Sequence, residues 1–255
     1  MNKLEIRKAY DVIKGDKKLV EIRVIAGNRT FSGYFTDYER LIQEVERFND
    51  YQIYFVFNEI NSACFSRMQA NTIMTSKQTT SDNDIVNRDW ILIDIDPERI
   101  SGVSSNNEEK KEALSTIEKI YDFLKDIGFA EPVIADSGNG YHLLYKIALK
   151  NNQENTELVK NFLNVLDMLF SNERAKVDIS VFNPSRITKL YGTFARKGKS
   201  TEERPFRESK ILKVPEEIKH TAKELIVKVA DMLPKQEEPS FKNGYNPKNF
   251  NLQEF

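Results

Sequence analysis

The stretch Trp90-Ile-Leu-Ile-Asp-Ile-Asp-Pro97 predicts a buried β-strand that ends in two carboxylates. Apolar β-branched residues favour a strand, and Pro97 ends it by removing a backbone donor. Because side chains alternate along a strand, Asp94 and Asp96 should share one face while the isoleucines point into the core. Mg²⁺ or Mn²⁺ would keep both carboxylates ionised. An exposed strand end is the alternative for so short a pattern.

The residues before this strand predict a smaller α/β unit. An apolar alternation over Leu19–Ile25, followed by a turn at 26–28, indicates a hairpin. Thr36 and Glu39 match a capping box for a helix that ends near Asn49. The other elements predicted here are a strand over Ile53–Phe57 and a largely irregular segment over Asn58–Asn87.

The residues after the strand alternate between helical and strand patterns. In chain order, these predict a helix over Asn107–Ile127, strands over Pro132–Ala135 and Tyr141–Ile147, a helix over Thr156–Phe170, a strand over Val177–Val181, a short helix after Asn183-Pro184 and a helix over Pro215–Leu233. Strands and helices are mixed throughout, which predicts an α/β (α+β) fold.

The composition is that of a folded protein and excludes bulk disorder, with 40% hydrophobic and 30% charged residues among 255. Lys and Arg total 38 against 39 Asp and Glu, so a polyanion site must be a local patch. The single Cys64 cannot form an internal disulfide, and the first 18 residues are too charged for a signal peptide. No apolar run approaches the ~18 residues of a membrane span. We therefore expect a cytoplasmic protein without a membrane partner.

A second motif is the turn Ser137-Gly138-Asn139-Gly140, which is followed by His142. Two glycines allow backbone N–H groups to approach an anion, and the Ser137 hydroxyl adds a donor. The motif therefore predicts a phosphate cradle, with His142 on the next strand beside it. An ordinary hairpin turn with a structural histidine is the alternative.

A third group of polar residues follows Asp178, a carboxylate between apolar neighbours. A buried carboxylate needs a partner, which is a salt bridge or a helix cap if it is not a ligand. Arg186 and Lys189 are three residues apart, and on the predicted short helix they would share a face able to grip a polyphosphate.

A local basic patch is predicted over Arg186–Lys213, which holds nine Lys or Arg against three Glu. Its aromatic residues could stack on unpaired bases. These are Tyr191, Phe194 and Phe206, with Phe182 just before the patch. A solvated loop with core aromatics is the alternative.

The order of these motifs resembles the archaeo-eukaryotic primase superfamily. The motifs are an apolar strand with Asp94-x-Asp96, Ser137-Gly-x-Gly-x-His142, Asp178 after an apolar residue, and Asn183-Pro-x-Arg186 with Lys189-Leu-x-Gly-Thr193. The segments 79–84 and 96–99 also fit, and the similarity covers roughly residues 26–193. The nearest match is to primase-polymerases of phages, plasmids and CRISPR loci, and we favour a CRISPR-associated one.

The resemblance implies a fold and an activity. The fold is an N-terminal α/β module packed on a catalytic subdomain that is similar to an RNA-recognition motif. The implied division is 1–88 for the module, 89–214 for the catalytic subdomain, 215–234 for a C-terminal helix and 235–255 for a polar tail or linker. The implied activity is template-dependent synthesis of primers on single-stranded DNA, and their extension, with a helicase or CRISPR or replication proteins as possible partners.

The resemblance also implies roles for single residues. Asp94, Asp96 and Asp178 would hold two Mg²⁺ or Mn²⁺ ions. The contacts of the incoming dNTP or NTP would be Ser137, Gly138, Asn139, Gly140, His142, Arg186 and Lys189. As a hypothesis, the initiating nucleotide or the template contacts Arg196, Lys197 and Lys199. Further candidates for such contacts are Tyr191, Asn83, Asp84 and Arg88. Tyr141 or Tyr191 could exclude a ribose hydroxyl.

Other functional classes explain less of the sequence. A glycosyltransferase also uses Asp-x-Asp with Mn²⁺, but it leaves the Ser137–His142 motif and Asp178 unexplained. A rolling-circle nuclease needs paired histidines, and a polymerase-β-like enzyme needs a Gly-Ser turn before the Asp-x-Asp strand. The non-enzymatic alternative is a catalytically weak primase-like module that binds single-stranded DNA.

Overall fold

Two antiparallel sheets carry the fold in the computed structural model, which describes residues 1–15, 19–76 and 78–234. The helices are α1 (Lys3–Lys14), α2 (Tyr38–Glu46), α3 (Asn107–Ile127), α4 (Gln153–Phe170) and α5 (Lys223–Ala230). The strands are β1 (Val20–Ala26), β2 (Arg29–Phe35), β3 (Gln52–Val56), β4 (Glu59–Ile60), β5 (Met74–Thr75), β6 (Ile85–Pro97), β7 (Val133–Asp136), β8 (Tyr141–Lys150), β9 (Ala175–Val177), β10 (Ile187–Lys189), β11 (Phe194–Ala195), β12 (Arg207–Glu208) and β13 (Lys210–Lys213). Short 3₁₀ helices cover Ser62–Arg67, Asp82–Asp84 and Ile179–Phe182.

The first sheet has the strand order β10-β3-β1-β2-β5. The predicted hairpin is confirmed, because β1 pairs with β2 around a turn in which Gly27 has a φ of +61°. The predicted capping box is wrong by one residue. Asp37, not Thr36, caps α2 by accepting from the Arg40 amide at 3.1 Å, while the Thr36 amide donates to Asn71.

The second sheet has the order β13-β7-β8-β6-β4, and β9 pairs with the end of β6. The central strand β6 is the predicted one, extended back to Ile85. The helix α3 begins and ends at the predicted residues, and Gly128 follows it with a φ of +103°. Contacts of α3 with β6, β8 and β9 close the core, which buries Ile93 and Ile95 completely.

Two elements near Asp178 differ from the prediction. The strand β9 ends at Val177, and Asp178 instead caps the 3₁₀ helix that follows, accepting from the Ser180 amide at 2.8 Å. Residues 187–189 form β10 rather than a helix, because they pair with the open edge of β3. A shared helical face for Arg186 and Lys189 is therefore excluded.

The predicted division at residue 88 stays a prediction, and strands cross it. β10 completes the first sheet from the second half of the chain, and β4 pairs with β6 in the second sheet. The C-terminal helix covers only Lys223–Ala230, so a helix over residues 215–222 is wrong. The predicted tail, residues 235–255, lies outside the described residues. Within the described part of the chain, no helix has the length and apolar character that a membrane span needs.

Candidate active site

A cleft of about 290 Å³ lies where the two sheets meet. Strands β3 and β10 contribute one side of it, and β6 and β8 contribute the other. The structure brings together in its lining nine of the residues singled out from the sequence: Asp94, Asp96, Ser137, Asn139, His142, Asp178, Arg186, Lys189 and Lys197.

Asp94 and Asp96 stand on one face of β6, as the alternation predicts. Burial favours the neutral form of Asp94, but His142, Arg186 and Lys197 hold its pKa below the usual value. Burial and the charge of Asp94 raise the pKa of Asp96 above its usual value. The pair is therefore a concentration of negative charge that an added cation would stabilise.

Asp178 is linked to Asp94 by a backbone hydrogen bond, and its carboxylate pairs with Arg186. Its amide donates to the Asp94 carbonyl oxygen at 2.9 Å, which fixes the start of the 3₁₀ helix beside β6. Its carboxylate Oδ2 lies 3.2 Å from Nη2 of Arg186. In residues 1–15, 19–76 and 78–234, no group of three or more Asp, Glu, His or Cys side chains is arranged to hold a metal ion.

The turn at 137–140 is closed by its own hydrogen bonds. The Gly138 amide donates to Asp136 Oδ1 at 2.6 Å, and the Gly140 amide donates to Ser137 Oγ at 2.9 Å. These two amides are engaged within the turn, so the expected cradle of free glycine N–H groups is wrong. A Cβ at Gly140 would collide with the Ile95 carbonyl oxygen, so glycine allows the turn to press on β6.

Lys189 is a buried cation on β10 whose hydrogen bonds go to neutral oxygens. Its ammonium donates to Gln52 Oε1 at 3.1 Å and to the Phe194 carbonyl at 2.8 Å, and it lies 5.2 Å from the centre of the Tyr54 ring. Burial, with Arg196 and another lysine nearby, lowers its pKa to about 7. An anion in the cleft would restore the charged form.

Sequence reasoning missed Gln52 and Tyr54, which also line the cleft. They stand on one face of β3, and the buried Ile53 and Phe55 stand on the other. This alternation of polar and apolar residues was the available signal. Burial, Asp94 and Asp96 raise the pKa of Tyr54 to about 12, so its hydroxyl stays protonated.

Two candidates for contact with nucleic acid are buried elsewhere. Tyr191 is fully buried, and its hydroxyl lies 2.7 Å from Nδ1 of His142, which contradicts both base stacking and sugar exclusion by its ring. Arg88 is 2% exposed and donates to the Phe182 carbonyl and Thr156 Oγ1, which contradicts a template contact.

Other candidates lie outside the cleft lining. Asn83 is exposed in the 3₁₀ helix Asp82–Asp84. Asp84 is held by Arg67 in a bidentate ion pair at 2.6 and 2.7 Å. Tyr141 is half-buried, with the Lys110 ammonium 4.3 Å from its ring centre.

The basic segment contributes Arg186, Lys189 and Lys197 to the cleft lining. The Arg196 guanidinium lies 5.4 Å from the ring centres of both Phe194 and Phe206, so both rings already make a cation–π contact. Lys197 lines the cleft and also a neighbouring depression of about 330 Å³ that Asp96 and Asp178 share.

Solved structures share this fold. The chain is similar to the AEP domain of the cyanophage S-2L primase-polymerase, with a TM-score of 0.54 and 13% identity over 90% of this chain and 98% of that one. It is also similar to primase RepB′, with a TM-score of 0.51 and 13% identity over 90% of this chain and 62% of that one. The catalytic domain of RepB′, solved with initiator DNA, gives a TM-score of 0.50 and 13% identity over 90% and 93% of the two chains.

These likenesses confirm the predicted fold, which is that of archaeo-eukaryotic primase (AEP) domains. No protein-family model matches the chain. No curated protein matches it either.

Proposed function

We propose that this chain is a nucleotidyltransferase that synthesises primers on single-stranded DNA and extends them. One observation carries the proposal: the cleft of an AEP fold gathers Asp94, Asp96 and Asp178 beside Arg186 and Lys189. Carboxylates next to buried cations suit a reaction that joins a metal-bound triphosphate to a hydroxyl.

The carboxylates fit divalent metal ions by their chemistry. Asp94 and Asp96 offer hard oxygen ligands, and a cation would offset both the burial and the charge of Asp94 that raise the pKa of Asp96. Asp178 would be the third ligand, and its carboxylate also pairs with Arg186. Asp94, Asp96 and Asp178 would hold Mg²⁺ or Mn²⁺, which would supply charge stabilisation for the displacement.

The basic residues fit the nucleotide and the nucleic acid. Arg186 offers a planar fork of donors and Lys189 a compact charge, so we propose them as contacts of the triphosphate of a dNTP or NTP. Ser137, Asn139 and His142 also line this region. For the initiating nucleotide or the template we propose Arg196 and Lys197, and as further candidates Lys199 and Asn83, both exposed. The motif resemblance favours a replication or CRISPR setting, with a helicase among the partners.

A second candidate is a primase-like module that binds single-stranded DNA without catalysis. Two observations favour it: in the described residues no group of three or more Asp, Glu, His or Cys side chains is arranged to hold a metal ion, and Arg186 pairs with Asp178. Binding would then persist without divalent metal, and Asp94→Ala would not change it.

Primer-free synthesis on single-stranded DNA tests the proposal. The assay supplies dNTPs or NTPs with Mg²⁺ or Mn²⁺, and the double variant Asp94→Ala/Asp96→Ala is the control. Metal-dependent short products that the variant does not make would support a primase. If the chain makes no product without a primer but extends a supplied primer, it is a polymerase that cannot initiate synthesis by itself. If neither assay gives a product, the DNA-binding module is favoured.

A further inference from the structure

Asp82 contacts the turn at 183–186, which carries Arg186. Its Oδ1 accepts from the Ser185 hydroxyl at 2.6 Å, from the Ser185 amide at 3.0 Å and from Asn183 Nδ2 at 3.3 Å. Asp82 and Ser185 are 103 positions apart in the chain. Asp82 lies outside the cleft lining, whereas Arg186 belongs to it. These contacts therefore connect a residue outside the cleft to the segment that presents one of its cations.

The carboxylate of Asp82 is ionised in this arrangement. Burial favours its neutral form, but the hydrogen bonds from Ser185 and Asn183, with the charge of Arg88 nearby, hold its pKa below the usual value. Hydrogen bonds to an ionised acceptor are shorter and stronger than those between neutral groups. The 2.6 Å contact with the Ser185 hydroxyl fits that description. The turn is therefore held by a strong acceptor.

The same turn is fixed from a second side. The Arg186 amide donates to the Asn183 carbonyl oxygen at 3.2 Å, which closes the turn. The Pro184 carbonyl oxygen accepts from Nδ2 of Asn58 at 2.9 Å, and Asn58 is 1% exposed. Both Asn58 and Asp82 precede strand β6 in the chain. The first part of the chain thus fixes the backbone from which the Arg186 side chain extends.

A fixed backbone matters for an arginine because its side chain is long and has many rotamers. In the free protein, Nη2 of Arg186 lies 2.7 Å from Ser180 Oγ and 3.2 Å from Asp178 Oδ2. Anchoring the backbone limits the positions that the guanidinium can sample. A guanidinium that is already held near its ligand loses less entropy on binding, which increases affinity.

We propose that Asp82 is a positioning residue that fixes the turn at 183–186 and so keeps Arg186 directed into the cleft. This role rests on the proposed function, in which Arg186 contacts the triphosphate of the nucleotide. Asp82 itself would touch neither the nucleotide nor a metal ion. The segment 79–84 thereby gains a part in the site that is separate from any contact of Asn83 with the template.

Amide hydrogen exchange followed by NMR tests, without any nucleotide, whether Asp82 fixes the turn. Asp82→Ala removes the acceptor, so the amides of Ser185 and Arg186 should exchange about tenfold faster, while the amides of helix α3 keep their rates. Arg67→Gln is the matched control, because Arg67 pairs with Asp84 of the same segment instead of with the turn. It should leave the exchange of both turn amides near that of the wild type. Unchanged exchange of these amides in Asp82→Ala would overturn the proposal.

A double-mutant cycle tests whether Asp82 acts through Arg186. Asp82→Ala should raise the Kd of dATP with Mg²⁺ about fivefold in the wild-type chain. The same change should leave the Kd nearly unaltered in Arg186→Gln, because the side chain that the turn directs is then already lost. A purely structural role would lower the affinity by the same factor in both backgrounds, and that result would overturn the proposal.

Ser185→Ala keeps the test decisive if Asp82→Ala does not fold. It removes the hydroxyl donor from the other side of the contact and should change the exchange rates and the Kd in the same direction by smaller factors. No change in either quantity would overturn the proposal. If the wild-type chain binds no nucleotide, the proposed function fails, whereas the exchange rates still decide whether Asp82 fixes the turn.

Discussion

Arg186 holds the carboxylate of Asp178 at 3.2 Å, so one proposed ligand of the metal ions is paired with one proposed ligand of the triphosphate. The same guanidinium also donates to Ser180 Oγ at 2.7 Å. Both partners lie in the 3₁₀ segment that begins at Asp178. The free protein therefore pairs this carboxylate internally, and under the proposed function the metal ions and the triphosphate would compete with that pair.

The first prediction concerns this competition. Arg186→Gln should tighten Mn²⁺ binding to the nucleotide-free protein by about threefold, because Asp178 loses a partner worth up to about 1 kcal/mol at a partly exposed site. The same variant should weaken nucleotide binding. Titration of Mn²⁺ followed by electron paramagnetic resonance measures the metal affinity.

A matched control for that experiment is Arg67→Gln, which breaks an ion pair with Asp84 away from the cleft lining. Its Mn²⁺ affinity should equal that of the wild type. Weaker metal binding in Arg186→Gln would contradict the competition.

The second prediction concerns protons. The pKa of Lys189 is about 7 in the free protein, and a bound triphosphate should raise it, so binding at about pH 8 should take up about one proton. Calorimetry in two buffers of different ionisation enthalpy measures this uptake. Equal heats in the two buffers would exclude it.

Two variants separate Lys189 from the rest of the patch. Lys189→Met should bind nucleotide more weakly and without proton uptake, whereas Lys199→Met, at an exposed position, should keep the uptake.

The pH dependence of the stability of the nucleotide-free protein offers a further check. In the unfolded chain Lys189 keeps its proton up to about pH 10, whereas in the folded protein it releases the proton near pH 7. Between these two pH values the unfolded chain therefore binds more protons, and the free energy of unfolding should rise with pH. Lys189→Met should flatten that rise.

The third prediction concerns the close approach of the 137–140 turn to β6. Gly140→Ala places a Cβ against the Ile95 carbonyl oxygen and should cost about 1–3 kcal/mol of unfolding free energy. Nucleotide binding should weaken as well, because Asp96 follows Ile95. Urea denaturation measures the cost. Gly140 does not have a positive φ, so left-handed backbone strain does not contribute to this cost, and an unchanged free energy of unfolding would contradict the steric explanation.

The fourth prediction separates starting a primer from extending one. Arg196→Gln/Lys197→Gln should reduce primer-free synthesis at least about tenfold and extension of a supplied primer much less, because two nucleotides must be held before any bond exists. Gel analysis of both reactions gives the ratio. Equal losses would contradict a role in initiation. Lys213→Gln, which breaks an exposed pair with Glu131 and a contact with the Tyr121 ring outside the cleft lining, should change neither reaction.

Local signals in the sequence predicted the elements that local interactions stabilise. The helix α3 has an apolar stripe, a capping box of Asn106 and Glu109, and a terminal glycine, and its bounds agree with the prediction. The central strand β6 and the shared face of Asp94 and Asp96 follow in the same way from alternation.

The errors arise where distant segments meet. Ile187–Lys189 is a strand only because the edge of β3, more than a hundred residues earlier, offers it hydrogen bonds. The sequence around Tyr191 does not indicate that its side chain is buried behind His142. The free amides expected at Gly138 and Gly140 are taken by Asp136 and Ser137, which a glycine pattern does not reveal.

The pairing of β10 with β3 also determines the stage of folding at which the cleft can form. The cleft needs Gln52 and Tyr54 from β3 together with Thr188 and Lys189 from β10. Contacts of such long sequence separation close a large loop and form late in folding. A chain still emerging from the ribosome can build its first hairpin early, yet the cleft cannot form until residue 189 has been made and has paired with β3.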